Sequence, residues 1–349
     1  MSRSQAVSTA QAGSSPFYAG KNKLINGDFY WNQRSFSSTT SSEYGLDRWS
    51  SLVTDGTNTY SVQQFTLGTA PVSGYEAKQY ARMVTTGQTL STARSVLLQR
   101  IESVRTFAGQ SITVSFWAKA ASGTPYIACA VTQSFGTGGS PSSNVTTATT
   151  KQTLSTSWAR YSFNFTVPSI SGKTIGTNNN DSFIVEIWFS GGSDRNAITD
   201  SMGIQSNTFD VWGVQVEAGS VATAFQTATG TIQGELAAAM RYYYRVDSAN
   251  AGDTRMNTAN MVANSTTVAY GNFAFPVRMR TSPTFGSSTA ANWSLGRIAV
   301  ALTALAQERA SQYSSMVKAT VASGLTAGNG DWLEVGNNNT SYIEFSAEL

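Results

Sequence analysis

The feature that most constrains the fold is a repeated alternation of apolar and polar residues in short runs. Residues 112–119 (ITVSFWAK) alternate over most of their length, and residues 158–167 (WARYSFNFTV) do so until Pro168. Residues 183–189 (FIVEIWF) and 209–217 (FDVWGVQVE) are two further strand-like runs. A period of two places successive side chains on opposite faces of a β-strand, so these runs predict strands.

Turn-forming segments separate the strand-like runs, as at residues 136–140 (GTGGS) and 176–180 (GTNNN). Gly, Asn and Ser favour tight turns, and almost no helical periodicity accompanies them. We therefore predict an all-β chain, with a jelly-roll β-sandwich over residues 21–228 and a smaller C-terminal β domain.

Residues 229–349 are predicted to form a short helix or linker followed by the C-terminal β domain. The Ala-rich residues 235–243 (ELAAAMRYY) favour a helix, and residues 342–345 (YIEF) favour a strand. Residues 297–305 fit either a strand or an Ala-rich helix, and we favour a strand because their neighbours are strand-like.

Charge and composition exclude several function classes. Charged residues make up 12% of the chain and the net charge is +3, whereas nucleic-acid binding needs clustered Lys and Arg. No run reaches about 18 apolar residues, so no membrane insertion is expected. The chain has no His, which removes Ser-His-Asp catalysis and His-ligated metals. The single Cys129 is expected in the core, and we expect no enzymatic activity.

Residues 1–20 are rich in Ser, Ala, Gln and Gly and show no apolar period, which predicts a flexible N-terminal arm. They also lack the apolar core of a signal peptide.

Several segments resemble, in order along the chain, segments that recur in bacteriophage tail-fibre and appendage proteins. They are residues 23–29 (KLINGDF), 31–34 (WNQR), 44–49 (YGLDRW), 98–102 (LQRIE), 115–119 (SFWAK), 209–219 (FDVWGVQVEAG), 222–225 (ATAF), 241–243 (RYY), 275–277 (FPV) and 347–349 (AEL). The chain departs from the pattern at Met240, where a Cys often precedes Arg-Tyr-Tyr.

This resemblance implies a virion protein on the phage tail or capsid surface, a tail-fibre or appendage subunit that mediates host attachment. It implies that the arm docks on other virion proteins, that the subunits form a homotrimer, and that host surface polysaccharide is the receptor. A capsid decoration or head-fibre protein with a structural role is the alternative. A depolymerising enzyme is the third class, and it would need a pair of carboxylates in a groove.

The predicted sandwich is also similar to carbohydrate-binding modules, which often hold a structural Ca²⁺ between an early strand and the last strand. That similarity implies Asp28 and Asp210 as calcium ligands. The alternative is that both are ordinary strand or turn residues.

Sugar sites need exposed rings that stack on pyranose faces, and amides that bond to the hydroxyls. In the C-terminal domain these requirements point to Trp293 and Trp332, with Asn337 and Asn338 as the amides. Core or interface packing is the alternative for both tryptophans. Further aromatic candidates are expected in loops of the sandwich: Tyr60, Tyr75, Tyr80 and Phe135.

Overall fold

The computed structural model describes residues 20–248, 256–335 and 340–349. The expected arm therefore lies outside the described residues, apart from Gly20. Strands account for 43% of the structure and helices for 6%, which confirms the prediction of an all-β chain. The described residues divide into two compact units, the first ending at Glu235 and including Leu349, and the second lying between Leu236 and Glu348. The division follows Glu235, whereas the sequence analysis placed it after residue 228.

Two antiparallel sheets build the first unit. The first sheet has six strands, in spatial order β1 (Ser38–Thr39), β3 (Thr59–Gln64), β4 (Gln79–Thr85), β12 (Asn207–Ala218), β6 (Ser111–Ala120) and β10 (Ala159–Thr166). The second sheet consists, in order, of β2 (Ser50–Thr54), β5 (Arg94–Glu102), β11 (Ser182–Gly191), β7 (Tyr126–Ser134) and β8 (Val145–Ala148), and β9 (Gln152–Thr153) also pairs with β7.

The chain passes repeatedly from one sheet to the other, and both sheets share one apolar core. In β6, alternate residues Ile112, Val114 and Phe116 are fully buried, and they belong to the same cluster as Val185 and Ile187 of β11. Burial of each such side chain contributes about 1.5–3 kcal/mol. This arrangement is the predicted jelly-roll β-sandwich. Cys129 is also fully buried in this core, as predicted.

Helices are short. α1 (Asn196–Thr199) follows a 3₁₀ turn at Ser193–Arg195, α2 (Ile232–Met240) is the predicted Ala-rich helix, and a second 3₁₀ turn covers Ala290–Asn292. Within the described parts of the chain, none of these helices has the length and apolar character needed to cross a membrane.

The second unit also consists of antiparallel strands. Its smaller sheet has the order β13 (Tyr243–Asp247), β22 (Tyr342–Ser346) and β16 (Thr284–Ser287). Its larger sheet has the order β18 (Val300–Ala301), β17 (Trp293–Leu295), β21 (Gly330–Val335), β14 (Asn257–Ala263), β15 (Val268–Ala274), β20 (Ser314–Thr320) and β19 (Ala304–Ala310). Residues 297–305, which fitted either a strand or a helix, include β18 and the start of β19, so the prediction of a strand is confirmed there.

Candidate functional site

The outer face of the first sheet carries charged side chains and aromatic rings, and the rings are only partly buried against the core. In β4, Ala81 and Met83 are buried in the core, and strand alternation therefore turns Tyr80 and Arg82 outward. Cross-strand pairing places Asp210 of β12 beside Arg82. The register of the sheet thus gathers outward-facing residues that are distant in sequence.

A row of three charged residues crosses three adjacent strands on this face. Asp210 lies in direct register with Arg82 of β4 and with Lys119 of β6. Arg82 Nε and Nη2 donate to the two oxygens of Asp210 over 2.6 and 3.0 Å, and Lys119 Nζ lies 3.6 Å from Oδ2. The hydrogen bond to Asp210 raises the pKa of Arg82. The row has a net charge of +1, and both cations remain 30% exposed.

Three half-buried aromatic rings border this row. The ring centroids of Phe65 and Tyr80 lie 4.7 Å apart, those of Phe65 and Trp158 5.6 Å, and those of Tyr80 and Trp158 5.5 Å. Lys119 Nζ lies 5.2 Å from the Trp158 centroid, and the Arg82 guanidinium lies 5.8 Å from the Tyr80 centroid. We call the following six residues the aromatic platform: Phe65, Tyr80, Arg82, Lys119, Trp158 and Asp210.

The other half of the same face is covered by the segment that follows β12. Glu217 accepts hydrogen bonds from the Thr223 backbone N (2.9 Å) and hydroxyl (2.8 Å), and Gln215 accepts one from the Gln226 N (2.9 Å). Glu217 and Gln215 are almost fully buried. Their polar groups therefore bond to the chain itself, whereas the rings of the platform stay partly exposed.

A β-bulge at Gly213 divides the two halves. The register of β12 shifts between Trp212 and Gln215, and Gly213 has a φ of 66°, a conformation that favours glycine. The bulge changes which positions face outward, from Asp210 and Trp212 to Gln215 and Glu217. A Cβ at Gly213 would lie 2.8 Å from the Trp117 ring, so position 213 requires glycine.

The structure overturns one sugar-site prediction and leaves others untested. Trp293 is fully buried and its Nε1 donates to Ser288 Oγ over 3.0 Å, so its proposed sugar contact is wrong. Trp332 is half-buried on β21, and its Nε1 donates to Glu334 Oε2 over 2.8 Å, so its sugar role stays a prediction. Asn337 and Asn338 lie outside the described residues.

The four aromatic residues expected in loops of the sandwich differ in burial and in position. Tyr60 and Phe135 are buried in the structure, because the core of the sandwich takes both rings, so neither contacts a ligand. Tyr75 is half-buried and donates to Asp28. Tyr80 alone among the four belongs to the platform, and it lies on β4, not in a loop.

The residues proposed for calcium do not fit a shared ion. Asp210 has Arg82 on both oxygens, and Asp28 Oδ2 accepts from the Tyr75 hydroxyl over 2.9 Å. Among the described residues, no group of three or more Asp, Glu, Cys or His side chains is arranged to hold a metal. Because Ca²⁺ takes six to eight oxygen ligands, the proposed pair is corrected to two separately bonded carboxylates.

Comparison with known proteins adds only distant structural likenesses. No protein-family model matches the chain, and no curated protein matches it. The xylan-binding domain CBM22-2 of Xyn10C from Paenibacillus barcinonensis has 17% identity and a TM-score of 0.31, covering 52% of this chain and 98% of that one. The family 11 carbohydrate-binding module from Clostridium thermocellum has 10% identity and a TM-score of 0.31, and the match covers 54% of this chain and 99% of that one.

The enzymatically active domain of tailspike protein 4 from bacteriophage CBA120 has 11% identity and a TM-score of 0.33, over 57% of this chain. This chain spans 22% of that tailspike chain. Likenesses at these scores carry no argument about function.

Proposed function

We propose that the first unit binds polysaccharide on the aromatic platform, without catalysing its cleavage. One observation carries this proposal. Phe65, Tyr80 and Trp158 contact one another on the outside of a sheet, and all three are half-buried, with part of each ring open to solvent. Three rings that keep part of their surface open to solvent on one outward face offer apolar surfaces on which pyranose rings can stack.

The platform has the two elements that sugar recognition needs. Aromatic faces stack on the apolar faces of pyranose rings, and fixed polar groups bond to the hydroxyls. The ion pair with Asp210 holds Arg82 in place while leaving it 30% exposed, so the N–H groups that Asp210 does not use are pre-oriented. The net charge of +1 favours neutral or acidic sugars over amino sugars.

A glycan array probed with the full chain tests this proposal. We expect binding to neutral or acidic polysaccharides, and loss of that binding in Trp158→Ala. Tyr126→Ala is the matched control, because Tyr126 is an exposed ring of the second sheet with Lys151 Nζ 4.7 Å from its centroid. Equal loss in both variants, or no glycan bound by the native chain, would contradict the proposal. Release of reducing ends from a bound polysaccharide would contradict the non-catalytic assignment.

The setting of this activity is a second part of the proposal, and it is supported by the sequence resemblance alone. The chain would serve as a phage appendage subunit, assembled as a homotrimer, that attaches to host surface polysaccharide. Immunogold labelling of intact virions tests the location, since tail labelling supports attachment and capsid labelling supports a decoration role. Light scattering of the purified chain tests the trimer, and a monomeric mass would contradict it.

A further inference from the structure

A cavity of about 190 Å³ lies in the first unit and shares no lining residue with the aromatic platform. Four of its eleven lining residues are aromatic: Tyr30, Trp31, Tyr75 and Phe225. Two carboxylates, Asp28 and Glu235, line the same cavity. Aromatic rings and carboxyl groups thus line the same cavity.

Asp28 is held in the cavity by a rigid turn. A Cβ at Gly27 would lie 2.2 Å from the carbonyl O of Val214, whose N donates to Gly27 O over 2.8 Å. Phe29 has a φ of 58°, which bulky residues rarely adopt, and its buried ring packs on Trp49 with centroids 5.1 Å apart. Backbone conformations of this kind persist where surrounding contacts enforce them, often at ligand sites.

The hydrogen-bond partners of Asp28 are neutral. Its Oδ2 accepts from the Tyr75 hydroxyl over 2.9 Å, and the donor to its Oδ1 is the Tyr30 backbone N, at 3.4 Å. The residue is 8% exposed, and burial raises the pKa of its carboxyl. In the described parts of the chain, Asp28 forms no salt bridge.

Glu235 adds a second acidic group with neutral partners. It accepts from the backbone N of Asn26 over 2.8 Å and from the backbone N and hydroxyl of Thr229 over 2.7 and 3.0 Å. Burial raises the pKa of its carboxyl, and the nearby charge of Asp28 raises it further. Burial among neutral donors disfavours the charged form of these carboxyls, so a cation bound in the cavity would stabilise that form.

We propose that this cavity binds an organic ammonium group, with Asp28 as the counter-charge and the aromatic rings as cation–π walls. A metal ion is disfavoured because, among the described residues, no group of three or more Asp, Glu, Cys or His side chains is arranged to hold one, whereas four lining residues of this cavity are aromatic. Ring faces attract ammonium groups within about 6 Å of their centroids, and Lys78 Nζ already lies 5.2 Å from the Tyr30 centroid. Pockets for drug-sized ligands start at about 300 Å³, so this cavity suits a small head group.

Isothermal titration of the full chain with choline chloride tests the proposal, with 3,3-dimethylbutan-1-ol as a neutral probe of nearly the same shape. We expect choline to bind at least about tenfold more tightly than the neutral alcohol, because only the cation pairs with Asp28. Butylammonium chloride is the primary-ammonium probe, and sodium chloride at equal ionic strength controls for salt. Equal affinities for choline and the alcohol would overturn the proposal. The absence of binding heat with about 10 mM choline, a concentration that nearly saturates a site with a Kd of about 1 mM, would also overturn the proposal.

Asp28→Asn sharpens the test, because an amide oxygen can still accept from Tyr75 while the charge is lost. We expect choline affinity to fall by about tenfold or more in this variant. Asp194→Asn is the control, since Asp194 is an exposed carboxylate elsewhere on the sandwich. Unchanged choline affinity in Asp28→Asn would overturn the assignment. If that variant fails to fold, the comparison of choline with the neutral alcohol on the native chain decides.

Discussion

The outer faces of the two sheets of the sandwich differ in what covers them. On the second sheet, the cluster of Val96, Leu98, Ile184, Trp188 and neighbouring small residues is at most 5% exposed. On the first sheet, the rings of the aromatic platform are half-buried against the core and stay partly exposed beside a row of charges.

The second face is sealed by the segment between β11 and β12. Met202 belongs to its apolar cluster, Ile198 of α1 packs against that cluster, and α1 contacts β7, β8 and β11. A sealed apolar face stabilises the fold through burial, whereas the partly exposed aromatic face has surface that the proposed ligand can cover. The comparison therefore predicts that substitutions on the second face reduce stability and substitutions on the platform reduce binding.

The largest effect is expected from Trp188→Ala on the sealed face. Removing a buried Trp costs about 3–5 kcal/mol of unfolding free energy. It also removes the Nε1 donor that lies 3.0 Å from Glu186 Oε2. Urea unfolding measures this loss, while polysaccharide affinity of the folded protein should not change. A loss below about 1 kcal/mol would show that this face is not sealed.

The next effect is expected from Trp158→Ala on the platform. We expect binding free energy to weaken by about 2 kcal/mol, as for a central aromatic anchor, and stability to fall by about 1 kcal/mol. Titration calorimetry and urea unfolding give the two values. A variant that loses more stability than affinity would remove the contrast between the two faces.

A smaller effect is expected from Asp210→Asn. This change leaves Arg82 and Lys119 side by side without their shared carboxylate, which should cost about 1–2 kcal/mol of stability, because the pair is part-exposed. The double variant Asp210→Asn/Lys119→Gln should recover part of that loss in urea unfolding. No recovery would show that repulsion between the two cations is not the cause.

The smallest effect is a pH dependence on the sealed face. Burial raises the pKa of Glu186 above its ordinary value of 4.5. Below pH 4.5 the folded and unfolded states both hold the proton, and as the pH rises the unfolded state loses its proton first. The contribution of Glu186 to stability is therefore present at low pH and is lost as the pH rises through the folded pKa.

Urea unfolding from pH 4 to pH 8 should show this loss in the native chain and a reduced loss in Glu186→Gln. Asp55 offers a control of opposite sign, because hydrogen bonds from the backbone of Leu90 and Thr89 lower its pKa. The contribution of Asp55 is lost as the pH falls, so Asp55→Asn should change only the acidic end of the profile. Identical profiles for native chain and Glu186→Gln would contradict the burial of this carboxyl.

Local patterns in the sequence predicted much of the fold. The alternation in residues 112–119 and 158–167 identified β6 and β10, and Ala-rich residues identified α2. Even the bulge leaves a trace, since the alternation of residues 209–217 breaks at Trp212-Gly213.

The platform could not be predicted in the same way, because it depends on strand order. Tyr80, Lys119 and Trp158 meet only because β4, β12, β6 and β10 are neighbours in the sheet, and alternation does not reveal which strands pair. Trp293 failed for a related reason. A Trp beside polar residues looks exposed in sequence, whereas the tertiary packing of the second unit buries it completely.

Hydrogen–deuterium exchange of the full chain, with and without a polysaccharide that it binds, tests the central claim most directly. We predict that bound polysaccharide slows exchange in β4 and around residues 158–160, and leaves β5 and β7 of the second sheet unchanged. Slower exchange confined to the second sheet, or to the second unit, would contradict the assignment of the binding face.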